Sequence, residues 1–132
     1  MRSGYEYQVR DALIKMGVDF DYEVDTFEYM STVRGGVCSE CGCRKVGKKR
    51  KYTPDFSVTR GDYSEVYIEA KGRFPSTDRS KMRDVRKSNP TLDIRILFQE
   101  RSAKQKAEVV RWCEKFDFDY AFGTRPPEEW VL

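Results

Sequence analysis

Apolar residues recur along this chain with two periods, and the switches between them divide it into elements. Tyr5, Val9, Ala12, Leu13 and Met16 have helical spacing, and Gly17 is placed to end that helix. Ser3 and Glu6 match a capping box, in which the acid bonds back to the first amide, so Glu6 has a purely structural reading. Phe20, Tyr22 and Val24 then alternate with Asp19, Asp21, Glu23 and Asp25, the pattern of a half-exposed strand. The apolar phase slips to Phe27 and Tyr29, which predicts a bulge or bend near Asp25 and Thr26.

Residues 31–51 break both periods. The next alternating segments, 52–58 and 65–71, are separated by Arg60, Gly61 and Asp62, and read as a hairpin. Its side chains alternate faces: Val66, Ile68 and Ala70 oppose Tyr67, Glu69 and Lys71, while Phe56 and Val58 oppose Asp55. Ser76 and Thr77 can cap a helix running to Lys87, which stops before Asn89 and Pro90. Leu92, Ile94, Ile96 and Phe98 mark a core strand, and Ser102 with Gln105 opens a capped helix to about Phe116. A short strand through Phe118, Tyr120 and Phe122 and a turn of helix around Trp130 complete the chain. This order predicts one α/β domain over residues 1–132, a mixed central sheet flanked by helices, with a Cys-rich basic insertion at about 31–51.

Composition supports an ordered globule: 132 residues, 39% hydrophobic and 14% aromatic, enough for one core. No run approaches the roughly 18 apolar residues of a membrane helix, and no signal peptide opens the chain, so a soluble intracellular protein is expected. The formal charge of +3 conceals segregation. Residues 17–31 carry five acids and no base, whereas 34–51 carry seven bases and one acid. A further basic stretch, 71–111, has twelve bases against five acids. Basic surface beside an acid cluster suits a polyanion whose metal sits among carboxylates.

Two groups of residues carry candidate chemistry. The first is Asp55, thirteen intervening residues, then Glu69-x-Lys71. If the hairpin pairs, the two acids and the lysine converge on one edge, where Asp55 and Glu69 offer the hard oxygens that Mg²⁺ prefers. Lys71 would then orient or help deprotonate an attacking water, or stabilise the charge developing on a phosphodiester. The plainer reading is a surface Glu69–Lys71 pair. The second group is Cys38, Cys41 and Cys43, spaced Cys-x-x-Cys-x-Cys in a chain without histidine. A closed zinc site needs four ligands, and Cys113 or a second subunit could supply the fourth; free thiols, with Cys113 in the core, are the alternative.

The chain also resembles the phage endonuclease I family of junction-resolving nucleases, within the restriction-endonuclease-like superfamily. The resemblance lies in Arg2-Ser3-Gly4-Tyr5-Glu6, Tyr52-Thr53-Pro54-Asp55-Phe56 and Ile68-Glu69-Ala70-Lys71-Gly72. It continues through Asp78-Arg79, residues 89–96, Cys113-Glu114-Lys115 and Pro127-Glu128-Glu129-Trp130. It implies a Mg²⁺-dependent endodeoxyribonuclease, with Mn²⁺ able to substitute, that cuts four-way and other branched DNA and leaves 5′-phosphate ends. It implies ligands at Asp55, Glu69, the Ala70 carbonyl and Glu6, a catalytic Lys71, and a segment-exchanged homodimer in host cytoplasm. The cysteine-rich excursion stands where the family has its bridging strand, so the exchange, and which subunit supplies Glu6, is left open. Lys48, Lys49, Arg50 and Lys51, with Arg73, Arg79, Lys81 and Arg83, are the expected DNA contacts. Two alternatives remain: a nicking, repair or homing enzyme of the same superfamily, and a zinc-stabilised binding module without catalysis.

Overall fold

The computed structural model describes residues 4–31 and 48–132. The capping role of Ser3 and the thiols Cys38, Cys41 and Cys43 lie outside the described residues.

Helix α1 (Gly4–Lys15) buries Tyr5, Val9 and Leu13 on one stripe. It ends at Gly17, whose φ of 70° is left-handed. There the Gly17 and Val18 amides donate to the Ile14 and Leu13 carbonyls, closing the last turn. Strand β1 (Phe20–Tyr22) follows. Glu23, at φ 50°, then swings the chain out of that sheet into β2 (Phe27–Met30). The expected bend is therefore a change of sheet. Strand β2 pairs antiparallel with β3 (Lys49–Tyr52), Phe27 facing Tyr52 and Met30 facing Lys49. This corrects two expectations. Lys49, Arg50 and Lys51 lie on a strand rather than in an irregular excursion, and 52–58 is not one strand. Tyr52 ends β3, the chain breaks at Thr53–Asp55, and β4 (Phe56–Thr59) begins in the other sheet.

Strands β4 and β5 (Glu65–Lys71) form the expected hairpin, with Phe56 opposite Ile68 and Thr59 opposite Glu65. Helix α2 (Ser76–Ser88) then crosses to β6 (Ile94–Phe98), and α3 (Ala103–Lys115) crosses to β7 (Asp119–Phe122). A closing turn, α4, spans Glu128–Val131. The main sheet has the order β1-β4-β5-β6-β7, antiparallel through β5 and parallel beyond it. The mixed sheet flanked by helices is as expected, and helical crossovers are what parallel neighbours require. Ser102 and Gln105 form the predicted capping box. Ser76 does not cap α2: Pro75 holds that position and makes no side-chain cap.

Alternation along β5 splits the core in two. Val66, Ile68 and Ala70 pack with Tyr5, Val9, Leu13, Leu97 and Trp130. On the other face Tyr67 joins Ile94, Ile96, Phe98, Met82, Val85, Val109 and Cys113. Each such fully buried apolar side chain contributes about 1.5–3 kcal/mol relative to exposure. The sheet is thus clamped between α1 with α4 and α2 with α3, which fixes the carboxyl end of β5, where the acids lie.

Candidate active site

Continuing the β4–β5 register one pair beyond Phe56 would set Asp55 across from Glu69. A further step would bring Pro54 to Ala70, but the chain turns away there. The Ala70 amide is taken instead by the Asp55 side chain, Oδ2 accepting at 2.9 Å. Asp55 and Glu69 are 8% and 7% exposed, so two carboxylates are withdrawn from water side by side. Glu69 Oε2 accepts from the Tyr52 hydroxyl at 2.5 Å, and its Oε1 lies 3.5 Å from Lys71 Nζ. Lys71 Nζ is also 3.6 Å from Asp78 Oδ2, in the first turn of α2.

Asp55, Glu69 and Lys71 line one cavity of about 470 Å³. Glu6 reaches the same cavity from the first turn of α1, with the Tyr22 hydroxyl 3.5 Å from its Oε2. The sequence leaves open which subunit supplies Glu6; within one chain, Glu6 already lines the same cavity as Asp55 and Glu69. Here α1 packs its Tyr5, Val9 and Leu13 against the chain's own hairpin, and that contact carries Glu6 to the chain's own acids.

The charge balance of the cavity is unfavourable as it stands. Burial, and then the neighbouring Glu69 charge, push the Asp55 carboxyl up to about 8, against the lowering effect of the Ala70 amide. Burial alone would depress Lys71, but Glu69, Asp78 and Asp55 outweigh it, and the net shift is upward. Lys71 is therefore an ammonium at neutral pH. Burial, reinforced by Glu69, keeps the Tyr52 hydroxyl protonated far above its usual range.

An Asp55 that resists ionising beside a buried Glu69 is what a cation would relieve, and both donors are hard oxygens. Among the described residues no three acidic or thiol side chains close into a cage. Asp55 and Glu69 could hold a hard divalent cation that binds through one or two carboxylates and keeps several waters. Ala70 lines the cavity, as a backbone ligand there would have to. Cys113 is different. It is wholly buried in the α3 face of the core, where it packs among apolar side chains and burial pushes its thiol up to about 12.

The basic residues divide by what holds them. Lys51 and Lys81 line the acid cavity, and Arg50 and Lys81 line a neighbouring one of about 530 Å³ beside Ser76 and Thr77. Lys48 and Arg73 are exposed. Lys49 pairs with Glu28 at 3.0 Å and Arg83 lies 3.8 Å from Asp84. Arg79 is engaged internally: its Nε donates to the Phe74 carbonyl at 3.0 Å and its guanidinium lies 5.4 Å from the Phe74 ring centre.

Comparison with known proteins decides the kinship. The family model described as phage endonuclease I matches residues 1–132. The chain belongs to the phage endonuclease I family. Endodeoxyribonuclease 1 of Enterobacteria phage T3 is 32% identical over 124 residues, covering 91% of this chain and 70% of that protein. Endonuclease I of Escherichia phage T7 is 30% identical over 134 residues, covering 98% of this chain and 77% of its relative. In this member of the phage endonuclease I family, Tyr52 and Asp78 contact the acids and the lysine, yet sequence reasoning assigned neither a role. Both stood within the motifs that carried the resemblance. Nothing local in the sequence, however, says that a strand end of one sheet and the first turn of α2 meet at Glu69 and Lys71.

Proposed function

We propose that this chain is a structure-selective endodeoxyribonuclease that resolves four-way and other branched DNA junctions by Mg²⁺-dependent phosphodiester hydrolysis, acting as a homodimer that makes paired nicks. Family membership and the name of the T7 relative support the endonuclease, and the name of the T3 relative supports DNA as its substrate. The observation that carries the reading is the clasp between Asp55 and the Ala70 amide, which seats Asp55 beside Glu69 at the floor of a cavity edged by Lys51 and Lys81.

Asp55 and Glu69 would hold the ion, with Glu6 at the mouth of the cavity and the Ala70 carbonyl nearby. When bound, Mg²⁺ supplies charge neutralisation at the scissile phosphate and acidifies water. Lys71, fixed between Glu69 and Asp78, presents an ammonium to the charge that develops on the phosphoryl oxygens. Lys51, Lys81 and Arg50 lie where a phosphate backbone would pass, and phosphate contacts of this kind read shape rather than sequence.

Cleavage of a labelled four-way junction should be compared with cleavage of linear duplex of the same arm sequence, in Mg²⁺. The junction should be cut strongly and the duplex hardly at all; equal cutting of both contradicts junction selectivity.

A further inference from the structure

Glu69 has two oxygens, and each meets a different kind of neighbour. Oε1 faces Lys71 Nζ at 3.5 Å, at the cavity wall, while Oε2 is turned inward to the Tyr52 hydroxyl at 2.5 Å. Tyr52 is 1% exposed and held on all sides. It is the last residue of β3, paired across the small sheet with Phe27, and Lys81 Nζ sits 5.6 Å from its ring centre. A tyrosine ring so enclosed is fixed in place, with its hydroxyl donating to Glu69 Oε2. A carboxylate bound at one oxygen by a fixed neutral donor keeps the other oxygen in one direction, which is how outer partners orient metal ligands. Phenylalanine would fill the same space, but it would leave a buried Glu69 oxygen without its donor.

We infer that Tyr52 is a positioning residue: its hydroxyl fixes the Glu69 carboxylate so that Oε1 is presented to a divalent cation, and the same bond ties the basic strand β3 to the ion site. This rests on the reading of Glu69 as a ligand under Proposed function.

Mn²⁺ binding to the full chain without DNA, titrated by electron paramagnetic resonance, tests the inference apart from turnover. Wild type, Tyr52→Phe and Glu69→Gln are compared well below their melting temperatures. Wild type should bind, Glu69→Gln should bind barely, and Tyr52→Phe should bind about 10–100-fold more weakly. If Glu69→Gln is impaired while Tyr52→Phe matches wild type, the positioning role is overturned and the ligand assignment stands. If Glu69→Gln binds like wild type, the ligand assignment falls and the inference with it. Should Tyr52→Phe fail to fold, the wild-type protein decides the matter by proton NMR. The Tyr52 hydroxyl should give a downfield resonance that moves when Mg²⁺ is added, and one indifferent to Mg²⁺ overturns the proposal.

Discussion

The Ala70 amide donates to Asp55 Oδ2 across 2.9 Å, at the point where the β4–β5 hairpin stops pairing backbone to backbone. That bond puts a buried carboxylate beside Glu69 at a cost, because both acids are almost wholly removed from water. The energetic consequence is measurable without substrate.

The Asp55 carboxyl is pushed from 3.8 up to about 8 in the folded chain, so between those values the native state binds a proton that the unfolded state has lost. Stability of metal-free protein should therefore fall as pH rises from about 4 to 8, by an amount on the order of a few kcal/mol. Thermal melts across that range would show the slope. Asp55→Asn, or saturating Mg²⁺ at the upper end, should flatten it.

Glu6 lies at the rim of the cavity, half-buried, where it can support ion or water without being enclosed by the hairpin. Glu6→Gln should slow junction cleavage by about 10–100-fold, the range for groups that assist a metal site, and leave junction affinity unchanged. Single-turnover rates and gel-shift titrations on the same preparation separate the two effects.

Lys51 faces the acid cavity, whereas Lys49 is already paired with Glu28 at 3.0 Å. If Lys51 neutralises one phosphate, Lys51→Ala should reduce the slope of log affinity against log salt by about 0.9. Lys49→Ala should change it less. Binding titrations between low and moderate salt would rank them.

Cys113 is fully buried among apolar side chains. Cys113→Ser buries a hydroxyl there, and about 1–3 kcal/mol of stability should be lost. The zinc content of protein purified without chelator should not change. A loss of zinc would place Cys113 in the ligand set.

What was legible in the sequence was the local part. Alternation placed Glu69 and Lys71 opposite Val66, Ile68 and Ala70, and the β5 core contacts follow that split. The stripe of α1, its glycine stop and the Ser102–Gln105 box were equally visible, because each depends on residues within a turn or two. The break at Thr53–Asp55 was not, since Tyr52 and Phe56 keep the same alternating phase while joining different sheets. Periodicity reports which face is buried and not which partner strand lies beside it. The contacts of Tyr52 and Asp78 with the site were hidden for the same reason, whereas Glu6 was named as a ligand only through the family resemblance.

The most direct test of the account is Mg²⁺-dependent cleavage of a four-way junction by wild type, Asp55→Ala and Lys71→Ala, with junction binding measured alongside in Ca²⁺. The account predicts that both variants bind the junction like wild type and cut it below detection. Undiminished cutting by either variant would contradict the assignment of this cavity as the active site.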